Sequence, residues 1–351
     1  MSLVSTKAWA GQRLRAVRSR ARGCAIALTY HRVADLATDP QLQAVSVAHF
    51  EEQVRAIASQ HTTLTAGELF AAMREGRRLP DRAVVITLDD GYEDALLAAK
   101  PILDRYEVRA TVFVTSGQVG SGREFWWDEV ERIVLMPGEL PARIEIEARG
   151  AMFESELRDD AIWGEGDAAR EAGWNIGMPV RNQRQHLYLA LCDFLRPLAG
   201  ATREIALGQL REHVGAGDFA RSTHRALSPA QLLELTSGGT FEIGAHTTSH
   251  ALLSALGPDA QREEIEESRR ALADLAGTPV TSFCYPHGGR DAYTPLTERL
   301  VRAAGFDGAC ANHYGIVLPW RDRYAVPRCP TEDVGGEAFA TRLAGWFDAG
   351  R

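Results

Sequence analysis

The sequence offers no membrane span: no run in its 351 residues approaches the ~18 apolar residues that cross a bilayer. It has little cysteine. The five, Cys24, Cys192, Cys284, Cys310 and Cys329, are odd in number and show no CxxC spacing. That argues against a disulfide framework or a zinc–thiolate cluster and points to a reducing compartment, read as the cytoplasm. Positive charge is in deficit too. A net charge of −8 and a pI near 5.7 argue against a nucleic-acid binder, which would normally show a basic face. A secretory signal is also missing. The first apolar run, Ala25–Leu28, is short and follows Arg13, Arg15, Arg18, Arg20 and Arg22. These arginines interleave with Leu14 and Val17. Residues 1–24 therefore read as a basic leader, either solvated or in weak contact with an anionic membrane surface, peripheral to the inner membrane.

What is there is ordinary globular composition, 45% hydrophobic and 25% charged. The length suits one large barrel with an insertion, or two medium domains. Strand-like runs lie at Ala25–Tyr30, Ala83–Leu88, Arg109–Thr115, Thr240–Ala245, Thr281–Tyr285 and Gly308–Ala311, with a weaker one at Tyr324–Arg328. Helical patterns at Val47–Ser59, Ala66–Glu75, Glu93–Tyr106, Pro258–Ala276 and Pro295–Ala304 alternate with them. Ser46, Thr65 and Ser228 are placed to cap helices, and Gly277 to close one. Alternating β and α elements predict an α/β fold with a parallel sheet. Seven strands suggest a (β/α) barrel; pattern alone does not separate it from a doubly wound sheet. The rhythm breaks over residues 120–225, which hold Trp126, Trp127, Trp163, Trp174 and the helical patterns Arg181–Leu195 and Thr202–Val214. We read this stretch as a mostly helical insertion, and residues 25–119 with 226–351 as the barrel.

Four motifs follow strand-like runs. Thr87-Leu88-Asp89-Asp90-Gly91-Tyr92 places two adjacent carboxylates at a strand end, where parallel α/β proteins build their sites. Their repulsion is relieved if one binds a cation while the other stays free as a base; Asp-Asp-Gly is equally good turn chemistry. His246-Thr247-Thr248-Ser249-His250 offers two imidazoles that can meet one cation if an Asp completes the set. Such a site, with open positions, is hydrolytic. Phe283-Cys284-Tyr285-Pro286-His287-Gly288-Gly289 makes a loop whose N–H groups can hold an oxyanion, or a plain turn. Thr29-Tyr30-His31-Arg32 by itself reads as a core histidine.

Together, and in this order, the first three motifs resemble those of the polysaccharide deacetylase family, over roughly residues 25–118 and 226–330. The resemblance implies a distorted (β/α)7 barrel, Asp90, His246 and His250 as metal ligands, and Asp89 as catalytic base. It implies one divalent cation, zinc ahead of Ni2+, Co2+, Mn2+ or Fe2+. Two departures matter. Many members carry an Arg in the third motif that orients the base; here the matching position is Cys284. Many carry a late Leu-x-His acid; none follows His250. The circularly permuted poly-N-acetylglucosamine deacetylases place that histidine on an N-terminal strand, as Ala27-Leu28-Thr29-Tyr30-His31 does.

The expectation is therefore a hydrolase of N-acetyl groups on an amino-sugar glycan, with His31 as general acid. The oxyanion donor is expected in the loop Tyr285, Pro286, His287. Trp126 and Trp127 are expected either to wall the cleft and set substrate choice or to anchor the insertion. An O-acetyl esterase, a non-sugar amidase and a non-catalytic glycan binder remain open; acetyl-loss assays and metal content separate them.

Overall fold

The computed structural model describes residues 23–349. The basic stretch through Arg22, proposed as a leader, lies outside the described residues. Seven strands make the central sheet: β1 (Ala25–Tyr30), β2 (Ala83–Leu88), β3 (Ala110–Val114), β4 (Phe241–Ala245), β5 (Ser282–Cys284), β6 (Gly308–Cys310) and β7 (Cys329–Pro330). Every pairing is parallel, in the order β6-β5-β4-β3-β2-β1-β7, and Thr63–Leu64 adds to β2. The edges approach each other through a bridge from Cys310 to Val326, just before β7. This is the distorted seven-stranded (β/α) barrel. The short β6–β7 junction is its irregularity: the expected strand Tyr324–Arg328 does not form, leaving only the bridge at Val326, and the strand comes just after it at Cys329–Pro330.

Alternation along the strands sorts two layers. Ile26, Leu28, Val84, Ile86 and Leu88 join the layer beneath the helices. Ala25, Ala27, Ala83, Val85, Phe113, Cys284 and Cys310 form a separate cluster on the other face. Apart from Phe113, these inner strand side chains are small, because seven strands enclose little space. On that inner face, Thr29 and His31 continue the series from Ala25, and Thr87 and Asp89 the series from Ala83. Registers Tyr30↔Leu88, Val114↔Ala245 and Cys284↔Cys310 bring the strand ends level, so the four motifs open on one rim. The expected helix Glu93–Tyr106 begins as a π-helical turn, Ala95–Ala99, and becomes α at Lys100–Arg105. A helix not anticipated, Gly336–Ala349, buries Phe339, Leu343 and Phe347. Among the described residues no helix is long and apolar enough to cross a membrane.

Residues 120–225 carry their own core, built on Trp127, Val130, Leu187, Tyr188, Leu191 and Leu207. Helices dominate, including Trp126–Val134, Gln183–Leu195 and Gly200–Val214. The stretch also contains a β-hairpin, Arg143–Ala148 with Ala151–Glu156, turned on Arg149 and Gly150, both at positive φ. Charges at Arg143, Glu145 and Glu147 alternate with buried Ile144, Ile146 and Ala148, so the run is too polar to stand out as a strand. The stretch is stitched by Arg184, fully buried, which donates to the carbonyls of Val134, Met136, Gly138, Asp160 and Ala161. Arg184→Ala leaves all five without that donor. It should lower the unfolding free energy by about 3 kcal/mol or more in urea denaturation followed by tryptophan fluorescence. A loss under about 1 kcal/mol would mean that water replaces the guanidinium.

Candidate metal centre and active-site cavity

The chain turns sharply where β2 ends. Gly91 N–H donates to Asp89 C=O at 2.9 Å, a three-residue turn with Asp90 at its centre and φ of 72°. Gly91 itself lies at φ 94°, and a Cβ there would meet Val114 at 3.1 Å. The turn points neighbouring carboxylates in different directions. Asp90 is buried, and neither of its oxygens has a hydrogen-bond partner among the described residues. His246 Nε2 lies 3.6 Å and His250 Nε2 3.3 Å from Asp90 Oδ1. Burial raises the Asp90 pKa, since it penalises the charged form most.

Both imidazoles are fixed from behind. His246 Nδ1–H donates to Cys284 C=O at 2.8 Å, which leaves the Nε2 lone pair facing Asp90. The loop to His250 includes Thr247 and His250 at φ 64° and 54°. Glu264 accepts from the N–H groups of Thr248 and Ser249, each at 2.9 Å, and Arg203 Nη2 donates to Ser249 C=O. The Trp127 ring meets the His250 ring edge-on, with centroids 4.7 Å apart. Burial lowers His246 to about 4; burial, with Arg203 nearby, lowers His250 to about 3. Both are thus neutral near pH 7, the form that offers a lone pair. One unpartnered carboxylate and two neutral imidazoles within 4.8 Å fit a divalent cation of the zinc type. Strain supports the same place: Asp90, Thr247, His250 and His287 are four of the nine non-glycine residues with positive φ among those described.

Asp89 lives in different surroundings. Arg328, from the approach to β7, grips it in a bidentate pair, Nη1 to Oδ1 at 2.7 Å and Nη2 to Oδ2 at 2.6 Å. The same guanidinium reaches Thr87 Oγ1, Asn312 Oδ1 and Cys284 Sγ, the last at 2.9 Å. Burial would raise the Asp89 carboxyl, but the charge of Arg328 outweighs it and holds the group well below the usual carboxylate range. Sequence reasoning missed Arg328. The available signal was an arginine inside a strand-like run, which a barrel interior admits only opposite an anion.

The third-motif loop divides. Tyr285 N–H is already bonded to Cys310 C=O at 3.1 Å, its ring stacks on Tyr293, and its hydroxyl donates to Tyr324 C=O. Pro286 has no N–H. Tyr285 and Pro286 therefore cannot donate to an oxyanion, which corrects that expectation. His287, at φ 62° in a turn closed by Gly288 N–H to Pro286 C=O at 2.7 Å, keeps an N–H with no hydrogen-bond partner among the described residues. A cavity of about 290 Å3 gathers Asp89, Asp90, His246, His250, His287 and His31, with Asn312 beside them. His31 is near enough to interact with the charges of both aspartates. Trp126 and Trp127 line the cavity, yet both are nearly buried in the insertion core. Trp127 Nε1 donates to Tyr92 Oη at 3.0 Å, and Tyr92 Oη donates to Asp128. The pair is thus a packed wall behind His250, with little ring face left for a sugar.

The Asp89–Arg328 pair yields a stability test. Arg328→Met should cost about 3–5 kcal/mol at pH 7, because it strands a buried carboxylate. In the wild type the folded pKa of Asp89 lies below its unfolded value of about 3.9, so its contribution is complete above that value and is lost as pH falls below it. In the variant burial, the largest influence, is no longer opposed by Arg328, so the folded pKa is raised and acid relieves the penalty. The stability gap should therefore begin to narrow above about pH 4, as the variant's carboxyl takes its proton, and narrow further below it, as the wild type loses its contribution. A gap independent of pH in denaturant titrations would refute the pairing.

A family model described as polysaccharide deacetylase matches residues 76–140 and 208–309. Poly-beta-1,6-N-acetyl-D-glucosamine N-deacetylase of Escherichia coli (strain K12) is 30% identical over 83 residues, 23% of this chain and 12% of that one. The protein of the same name from Staphylococcus aureus (strain N315) is 30% identical over 108 residues, 27% of this chain and 37% of that one. The chain thus spans well under half of either relative. Among solved structures, the Streptococcus pyogenes deacetylase PplD superposes with a TM-score of 0.56 at 15% identity, covering 91% of this chain and 98% of that one. IcaB from Ammonifex degensii gives 0.55 at 17%, covering 92% and 96%. At such identities these are likenesses of fold. The motifs, the barrel and the matched model agree: residues 76–140 and 208–309 carry a polysaccharide deacetylase domain.

Proposed function

We propose that this protein is a metal-dependent hydrolase that removes N-acetyl groups from an amino-sugar glycan of the poly-N-acetylglucosamine kind. The observation that carries the reading is the contrast between two adjacent carboxylates. Asp89 is paired and ionised; Asp90 is unpartnered and faces two neutral imidazoles. The relatives' names supply the substrate class.

Asp90, His246 and His250 would hold the cation. A divalent cation held there would supply Lewis-acid polarisation of the acetyl carbonyl and a water of lowered pKa. Asp89 takes the proton from the attacking water. Arg328 keeps Asp89 charged and aimed, since a fork on both oxygens leaves little rotational freedom. The His287 N–H donates to the oxyanion as the carbonyl becomes tetrahedral. His31, on the same rim from β1, gives its proton to the departing amine, without which the C–N bond does not break readily.

The direct test is mass spectrometry of N-acetylated and O-acetylated glycans incubated with metal-loaded enzyme. Acetyl loss from the amide and not the ester is the expected result; loss from esters alone would replace the reading with an esterase. Asp89→Asn should keep stoichiometric metal yet lose turnover on the order of 10²-fold or more, and near wild-type kcat would place the base elsewhere. His31→Ala should retain fold and metal, keep the acidic limb of the pH–rate profile and flatten the alkaline limb, which reports the acid. An unchanged alkaline limb would pass the role to His287.

A further inference from the structure

The cavity is closed on one side by a strap, residues 38–43, which follows β1. Asp39 preorganises it. Its carboxylate accepts from Gln43 N–H at 3.0 Å and Ala44 N–H at 2.8 Å, and its carbonyl from Leu42 N–H at 3.2 Å. The strap is bonded across to the insertion. Pro40 C=O accepts from Ile176 N–H at 2.9 Å, Gln41 Nε2 donates to Tyr188 Oη at 2.6 Å, and Thr38 donates to Glu131. Gln41 and Gln43 from the strap, and Ile176 and Cys192 from the insertion, all line the cavity. The joined segments are therefore its own walls. Between the strap and Arg32, Asp128 and His224 only about 10 Å3 remains, room for no more than one water, and the larger void of about 180 Å3 between Thr38, Pro40 and the insertion's Trp163 and Trp174 shares no lining residue with the cavity.

A linear glycan presenting an internal residue to Asp89 must leave the cavity on two sides, with a neighbouring sugar at each exit. The strap removes one exit, and no chain threads under it. The cavity's 290 Å3 is at the small end of the roughly 300–1,000 Å3 typical of small-molecule sites. Resting on the deacetylase reading above, we propose that the site takes the terminal N-acetylated sugar of a glycan, or a short glycan, and not an internal residue of a running polymer. The insertion and the strap together are then the specificity element, turning the open rim of a barrel into a blind pocket.

The test uses the metal-loaded full chain and N-acetylglucosamine oligomers of one to six units. Fragment-ion sequencing of the products should place acetyl loss on one terminal residue at every length. In the Asp89→Asn variant, which keeps the pocket, calorimetric affinity should plateau by two or three units, since further sugars lie outside. Acetyl loss at internal positions, or affinity that keeps rising to six units, would overturn the proposal while leaving the deacetylase reading intact. Loss from no oligomer and from no other acetylated glycan would overturn both.

Discussion

A carboxylate buried with neither oxygen hydrogen-bonded is an arrangement that a dry interior does not tolerate unaided, and Asp90 is that carboxylate. Much of the rim is built around keeping it so. The turn that holds it at φ 72° spends backbone strain to face it toward His246 and His250 and away from donors. The Cys284 carbonyl fixes the tautomer of His246, and Glu264 pins the two amides before His250. Each of these contacts costs order and gives nothing to the fold that a plain turn would not. They make sense if the missing partner of Asp90 is a cation.

Selectivity among buried acids follows from their neighbours. Asp128, Glu131 and His224 also converge, but Arg221 Nη2 lies 3.0 Å from Glu131. Arg32 acts on Asp128, and burial, then Arg221 and Arg32, push His224 down to about 2. In that trio Glu131 is paired with Arg221, and burial raises Asp128 to about 8, so that it keeps its proton near pH 7. Asp89 is likewise matched, by Arg328. Only the Asp90 trio combines negative charge, neutral donors and no protein cation within bonding reach among the described residues. The small thiol of Cys284 belongs to the same logic: it leaves space for Arg328 to reach Asp89 from the approach to β7, with the guanidinium 2.9 Å from the sulfur.

Much of this was legible because it depends on local pattern. The runs Ala25–Tyr30 and Ala83–Leu88 are fully buried parallel strands and read as continuous apolar stretches with the same limits. The motifs at their ends were visible for the same reason. What escaped depends on partners far away. The use of Tyr285 N–H is set by the register of β5 on β6, which no local pattern shows. Arg328 finds Asp89 across 239 residues, and Gln41 finds Tyr188 across 147. The hairpin Arg143–Glu156 was hidden by its charged outer face, and the tryptophans' role by the fact that one ring can pack a core and line a cavity at once.

The central claim is that Asp90, His246 and His250 form the cation site. Crystals soaked in zinc and measured by anomalous diffraction at the zinc edge test it most directly. The account predicts one strong peak about 2.0–2.2 Å from Asp90 Oδ, His246 Nε2 and His250 Nε2. A fully occupied peak at Asp128, Glu131 and His224, with none at Asp90, would contradict it.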